Sequence, residues 1–319
     1  MSALKVLVTG ASGFVGEAVV FRLLVDKKFC PIAASRGATR LNGLCSVQPF
    51  DMNADFLPAL DDVHVVIHAA ARVHVMNETA EDALTEFRKV NVEGTLRLAR
   101  RAAESGVKRF IFVSSIKVNG EGSFAPSVYE ADNQPHPVDP YGISKYEAEK
   151  ALQKLHSETG MEVVIIRPPL VYGPGVKANF QNMMMWLDKG IPLPLGMIRN
   201  QRSFVAIGNL VNLIIACIDH PLAANQTFLV SDGEDLSTTQ LLRRLSRAMG
   251  RSARLVPVPA WLLKLAAMTL GKQAFAQRLC GSLQIDIGKN RELLGWTPPV
   301  SVDDAMRQTA DHYRENVKR

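Results

Sequence analysis

Short β-branched apolar runs alternate with longer stretches of helical periodicity through the first half of the chain. Strands are predicted at Lys5–Val8, Pro31–Ala34, Val63–Ile67, Phe110–Val113 and Val163–Ile166. Between them the pattern predicts helices over Gly13–Val25, Ala83–Ser105 and Tyr141–Thr159, the last two closed by Gly106 and Gly160, the residue type that ends a helix in a left-handed conformation. Strands that alternate with crossover helices make an α/β fold with a doubly wound parallel sheet. After Tyr172-Gly173-Pro174-Gly175 the alternation lapses into helices and proline loops. Residues 1–175 therefore read as one domain and 176–319 as a smaller C-terminal substrate-binding lobe, with a short strand near 227–231 placed to rejoin the sheet.

Composition narrows the class. With 319 residues, 47% of them hydrophobic and 21% charged, the chain can bury a core as one large domain or two unequal ones. Met1-Ser2-Ala3 leads straight into an apolar strand, without the charged and apolar regions of a secretory signal. Cys30, Cys45, Cys217 and Cys280 are too scattered for a disulfide framework or a zinc site, so the expected setting is cytoplasmic and no metal is expected. A net charge of +6 is spread among interleaved acids and bases, which argues against nucleic acid and suits phosphate-bearing small molecules. The apolar run Trp261–Met268 is far short of the roughly 20 residues of a membrane span, so no integral membrane segment is expected. It reads as a core or lid helix, with peripheral membrane contact as the lesser alternative.

Chemistry enters with Gly10-Ala11-Ser12-Gly13-Phe14-Val15-Gly16, a G-x-x-G-x-x-G turn between a strand and a helix. Glycines there let the backbone approach a pyrophosphate while the helix N-terminus faces its charge, the arrangement of a dinucleotide site. At the end of the second strand, where NAD-binding proteins normally carry an acid for the ribose, the chain has Ala34-Ser35-Arg36-Gly37. Without an acid to repel a 2′-phosphate, and with Arg36 and Arg40 nearby, NADP(H) is preferred and NAD(H) is the alternative. Tyr141 and Lys145, four apart on one helical face, form a proton-moving pair in which the ammonium is expected to lower the phenol's pKa. Ser115, ending the strand Phe110–Val113, is placed to hydrogen-bond the reacting oxygen. His64, His68 and His74 do not make a metal site, because His64 and His68 on one strand face stand about 13 Å apart. Met183-Met184-Met185-Trp186 reads as lobe core or cleft wall.

These motifs together resemble the extended short-chain dehydrogenase/reductases of the nucleotide-sugar epimerase and dehydratase group, a Rossmann-fold family, over nearly the whole chain. By that resemblance Ser115, Tyr141 and Lys145 form a catalytic triad. Asp51-Met52 resembles the pair that meets the adenine, His68-Ala69-Ala70-Ala71 the run beside the cofactor, and Asn91-Val92-Glu93-Gly94-Thr95 the helix supporting the active site. Ser114, and Pro168 in Arg167–Gly175, are further cofactor residues. Asn179 and Arg202 match positions that contact the nucleotide diphosphate, and Arg278 and Lys117 are carried over as substrate residues. A UDP-linked hexose is the implied substrate and a homodimer the implied assembly.

Departures from the family patterns sort the chemistry. Ile116 and Lys117 stand where sugar 4,6-dehydratases carry an Asp-Glu pair, which disfavours dehydration. UDP-galactose 4-epimerases usually have an acidic ribose ligand and an asparagine at the place of Leu170; both are missing. The runs His68–Met76, Ser114–Gly120 and Arg278–Leu283 look most like bacterial C4 reductases that form UDP-N-acetylquinovosamine for surface polysaccharide. The leading expectation is therefore NADP(H)-dependent reduction at C4 of a UDP-4-keto-6-deoxy-N-acetylhexosamine. A UDP-hexose 4-epimerase is the alternative, and a non-catalytic dinucleotide sensor the second alternative.

Overall fold

A computed structural model of the chain describes residues 3–53, 56–73, 83–123, 128–271 and 273–317. His74, and the run through Met76, lie outside the described residues. In chain order the elements of the first part are β1 (Leu4–Thr9), α1 (Phe14–Val25), β2 (Phe29–Ser35), β3 (Ser46–Pro49), β4 (Val65–His68), α2 (Ala83–Phe87), α3 (Thr95–Glu104), β5 (Arg109–Val113), α4 (Pro140–Thr159) and β6 (Glu162–Arg167). The rest comprises β7 (Leu170–Tyr172), α5 (Ala178–Asp188), β8 (Arg202–Ala206), α6 (Ile207–Ala216), β9 (Thr227–Leu229), β10 (Asp235–Leu236), α7 (Thr238–Ala248), α8 (Ala260–Thr269), α9 (Gln273–Cys280), α10 (Gly288–Leu294) and α11 (Val302–Val317).

Seven parallel strands form the main sheet in the order β3-β2-β1-β4-β5-β6-β9. Alternating side chains send Val6 and Val8 to one face, under α1 and α6, and Leu7 to the other, under α3 and α4. Both faces are thus covered, which is why β4, β5 and β6 read as continuous apolar runs. On α4, Ala148, Leu152 and Leu155 form the buried stripe, each leucine contributing about 1.5–3 kcal/mol by burial. Strand order reverses between β1 and β4, and in such sheets the crevice beyond the strand ends at that point receives the ligand.

A second sheet, β10-β8-β7, roofs a separate cluster built from Tyr172, Phe180, Met184, Leu241 and Met306. Tyr172 donates to the buried Asp232 at 2.9 Å and stacks on Phe180. Met184 is core here, while Met183 and Trp186 are only partly buried against it.

Two sequence expectations change. The continuous helix over Ala83–Ser105 is broken by a π-helical segment, Arg88–Gly94. Its wider turn presents Asn91, whose amide donates to the Arg72 carbonyl at 3.1 Å and the Ser144 hydroxyl at 3.0 Å, while its oxygen accepts from the Arg72 N–H at 2.8 Å. The Trp261–Met268 run is a helix, α8, but not a core one, because none of its residues is buried.

Candidate active site

The turn after β1 is sterically committed to glycine. Gly10 has φ +67°, and a Cβ on it would lie 2.7 Å from the Ala70 nitrogen; one on Gly16 would lie 2.3 Å from the Gly10 carbonyl oxygen. Gly13 caps α1 with extended backbone and without a side-chain cap, so the first N–H groups, at Phe14 and Val15, stay open to an anion. From this turn a cavity of about 410 Å³ runs past Ser12 and Gly13, along Ala69-Ala70-Ala71, to Ser35, Arg36, Asp51 and Met52. The residues fit a dinucleotide: a glycine cradle with open N–H groups at one end, and Asp51 and Arg36 at the other.

The basic end is smaller than the sequence suggests. Arg40 points both Nε and Nη2 at the Glu17 carboxylate, each at 2.5 Å, and lies over the Phe21 ring. In this arrangement it braces the β2–β3 connection against α1. Ser35 donates its hydroxyl to the Gly37 carbonyl at 2.7 Å, which shapes the turn that carries the exposed Arg36.

Beside the cavity, Asp139 caps α4 by accepting from the Gly142 N–H at 2.7 Å, and Pro140 occupies the first turn. That start places Tyr141 and Lys145 on one face. Ser115 acts on the Tyr141 phenol, and Tyr141 meets the Phe87 ring edge-on. The expected acidification by lysine is not what the structure shows. Burial and the Asp139 carboxylate push the Tyr141 phenol above its ordinary value, and only Ser115 opposes them. Lys145 instead donates to the Val113 carbonyl at 2.8 Å and sits over the Phe112 ring at 4.2 Å. Burial lowers its pKa to about 7, against the raising effect of Glu149.

A buried polar network missed by the sequence reading lies behind this pair. Glu149 accepts from the Ser114 hydroxyl at 2.5 Å and from Arg167 Nη2 at 2.5 Å, while Arg167 Nη1 donates to the Asn119 side chain at 3.0 Å. The available signal is the spacing of Glu149 four residues after Lys145, one turn along the same helix face. His68 is likewise structural: it bridges Thr9 at 2.7 Å and Thr95 at 3.0 Å, and burial lowers its pKa to about 3. Pro168 contributes its carbonyl to the Ile116 N–H at 2.9 Å, tying β6 to the segment after Ser115.

The substrate residues divide. Arg202, at the start of β8, donates to the Arg278 carbonyl at 3.0 Å and the Gly281 carbonyl at 3.2 Å, so these two positions meet. Burial lowers the Arg202 pKa. Asn179 is exposed in the first turn of α5. The Lys117 ammonium pairs with Asp139 at the start of α4, and with Glu121 at 3.5 Å.

Comparison with known proteins fits this architecture. The NAD dependent epimerase/dehydratase family matches residues 6–231. A UDP-glucose 4-epimerase of Vibrio cholerae is 48% identical over 97% of this chain and 95% of its own length. An N-acetyl-alpha-D-glucosaminyl-diphospho-ditrans,octacis-undecaprenol 4-epimerase of Escherichia coli O157:H7 is 25% identical over 99% of this chain and 97% of its own. Among solved structures, the UDP-glucose 4-epimerase of Thermotoga maritima with UDP-glucose superposes with TM-score 0.79 at 23% identity, covering 98% of this chain and all of that one. The UDP-glucuronic acid 4-epimerase of Bacillus cereus with NAD gives 0.80 at 22%, covering 98% and 99%. These findings overturn the leading expectation of C4 reduction, since the near-half-identical relative over almost the full length is an epimerase. Short runs that look like a reductase carry less than that whole-chain agreement. The chain is a member of the NAD dependent epimerase/dehydratase family.

Proposed function

We propose that the protein is an NAD-dependent 4-epimerase of a UDP-hexose. The observation that carries this is 48% identity over 97% of the chain to the Vibrio cholerae UDP-glucose 4-epimerase, with Tyr141 meeting the Phe87 ring that lies under Arg72, a residue of the cavity wall. NAD replaces the sequence-based preference for NADP(H), because Arg40 is held by Glu17 and the Bacillus cereus UDP-glucuronic acid 4-epimerase carries NAD.

Gly10, Ser12, Gly13 and the first N–H groups of α1 would hold the pyrophosphate, Asp51 and Met52 the adenine side, and Ala69-Ala70-Ala71 the wall toward the nicotinamide. When bound, NAD supplies a hydride acceptor that can return the hydride to C4. The chain's own residues handle the proton. Tyr141 exchanges it with the sugar O4, Ser115 fixes that oxygen through a hydrogen bond, and Lys145, titrating near neutrality, holds positive charge at the strand end. Arg202 and Asn179 are the proposed ligands of the UDP diphosphate. The homodimer remains part of the proposal, with sedimentation as its check.

The deciding experiment incubates purified protein with UDP-galactose and, separately, with a UDP-4-keto-6-deoxy-N-acetylhexosamine plus NADPH or NADH. Formation of UDP-glucose without net change in nicotinamide absorbance supports the proposal. Stoichiometric loss of reduced cofactor with the keto sugar, and none of the interconversion, would sink it.

A further inference from the structure

The helix α8 breaks the rule that a surface helix shows water a polar face. Its inner stripe, Ala260 and Leu263, packs on the core of the C-terminal lobe. The opposite stripe is also apolar: Trp261 is 64% exposed, Leu265 48% and Met268 55%, spaced four and three apart on one face, with Leu262 beside them at 40% and Leu270 beyond at 70%. Side chains of this size left together in water mark an interaction surface.

Charge identifies what covers it. Residues 236–285, the stretch that contains α8, hold no Asp or Glu, yet they carry six arginines and two lysines. That one stretch accounts for the positive balance of the whole chain, +6, which corrects the reading of acids and bases as interleaved throughout. Arg244 and Arg251 pair with acids from elsewhere in the fold. Among the described residues, Arg254 and Lys264, the cations bracketing and occupying α8, are exposed and make no ion pair. A surface shaped by contact with another protein is depleted of charge at its core and has a polar rim. An apolar ridge with an exposed tryptophan at its start, on a stretch whose own charges are all positive, matches an anionic bilayer surface. The helix has 10 residues, and no helix among the described residues is long and apolar enough to cross a membrane, so it lies in the interface instead of spanning it.

We propose that α8 is a membrane-docking helix that seats the C-terminal lobe on anionic phospholipid, with Trp261, Leu265 and Met268 in the interface and Arg254 and Lys264 at the phosphate level. The test is co-sedimentation of the full chain with phosphatidylcholine vesicles and with vesicles that also contain phosphatidylglycerol. Wild-type protein is expected to pellet with the anionic vesicles, less so as salt is raised, and to stay in solution with the neutral ones. A Trp261→Glu/Leu265→Glu variant, whose substituted side chains face water, is expected to lose vesicle binding by roughly tenfold or more while keeping its circular dichroism and its turnover in solution. Charge reversal at Arg254→Glu/Lys264→Glu is expected to remove the anionic preference. The proposal is overturned by wild-type protein that stays in the supernatant, by a double variant that pellets equally well, or by a double variant that turns a dimer into a monomer, which would make a second copy the cover of this face.

Discussion

Arg167 grips Glu149 inside the protein, Nη2 to carboxylate at 2.5 Å, with 5% and 1% of the two side chains exposed. Such a pair is weak evidence for net stability, but removing one partner strands the other charge away from water. Glu149→Gln is expected to lower unfolding free energy by about 3–5 kcal/mol in urea titrations, with Arg167→Met in the same chain recovering part of it. Because Glu149 also raises the Lys145 pKa, the variant's Lys145 is expected to titrate below its present value of about 7, seen as a downward shift of the matching limb in a pH–rate profile. An unmoved limb would remove Glu149 from the electrostatics of the pair.

Asp139 caps α4, pairs with Lys117 and raises the Tyr141 pKa, and asparagine keeps only the cap. Asn caps a helix about as well as Asp, so Asp139→Asn should leave α4 in place while taking away the negative charge that raises the Tyr141 pKa. The tyrosine limb of the kcat/KM profile is then expected to move to lower pH. Tyr141→Phe is expected to reduce turnover by about 10²–10⁴-fold with little change in melting temperature. A Phe variant that turns over normally would exclude the phenol as the proton carrier.

His68 ties acid stability to a single buried imidazole. Its folded pKa of about 3 lies below the ordinary 6.5, so the unfolded chain takes up the proton first as pH falls. Stability is therefore expected to decline below pH 6.5 by up to about 1.4 kcal/mol per pH unit from this group. Urea midpoints of the wild type and of His68→Gln, compared across the range where carboxylates remain ionised, check it: the variant's slope should be shallower. Equal slopes would show that the imidazole is not the titrating group.

Gly10→Ala places a methyl carbon 2.7 Å from the Ala70 backbone nitrogen, on a residue already at φ +67°. Backbone cannot yield there as a flexible side chain would. Dinucleotide binding, followed by the quenching of intrinsic fluorescence on titration with NAD, is expected to weaken by at least roughly tenfold, since strain of about 1–3 kcal/mol falls on the cradle itself. The same substitution at Gly37, whose Cβ would meet nothing within 4 Å, is the control and should bind normally.

The doubly wound sheet was legible because each central strand is buried on both faces and the crossover helices α3 and α4 stop at glycines, Gly106 at φ +77° and Gly160 at φ +75°. The π-helical turn at Asn91 was not, because the three hydrogen bonds that accompany it run to Arg72 and Ser144, residues far off in sequence. Pairings of Arg40 with Glu17 and of Lys117 with Asp139 were hidden for the same reason: a motif gives a residue's address but not its nearest opposite charge. The direction of the Tyr141 shift depends on where the Lys145 amine points, which spacing alone does not fix. The strands of the smaller sheet, two to five residues long, are too short to show a period. Reduction and epimerisation need the same proton carrier, so Ser115, Tyr141 and Lys145 do not separate them.

The strand β9 hydrogen-bonds along β6, Ile165 to Thr227 and Arg167 to Leu229, after the chain has already passed through β7, α5, β8 and α6. A polypeptide emerging from synthesis thus leaves the seventh place in the sheet open until residue 229 is available, with the far side of β6 bare in the meantime. Cutting the protein in two after residue 175 would make that temporary gap permanent. Neither piece would be an independent folding unit, and the halves would be expected to find each other, or other exposed edges, before anything else.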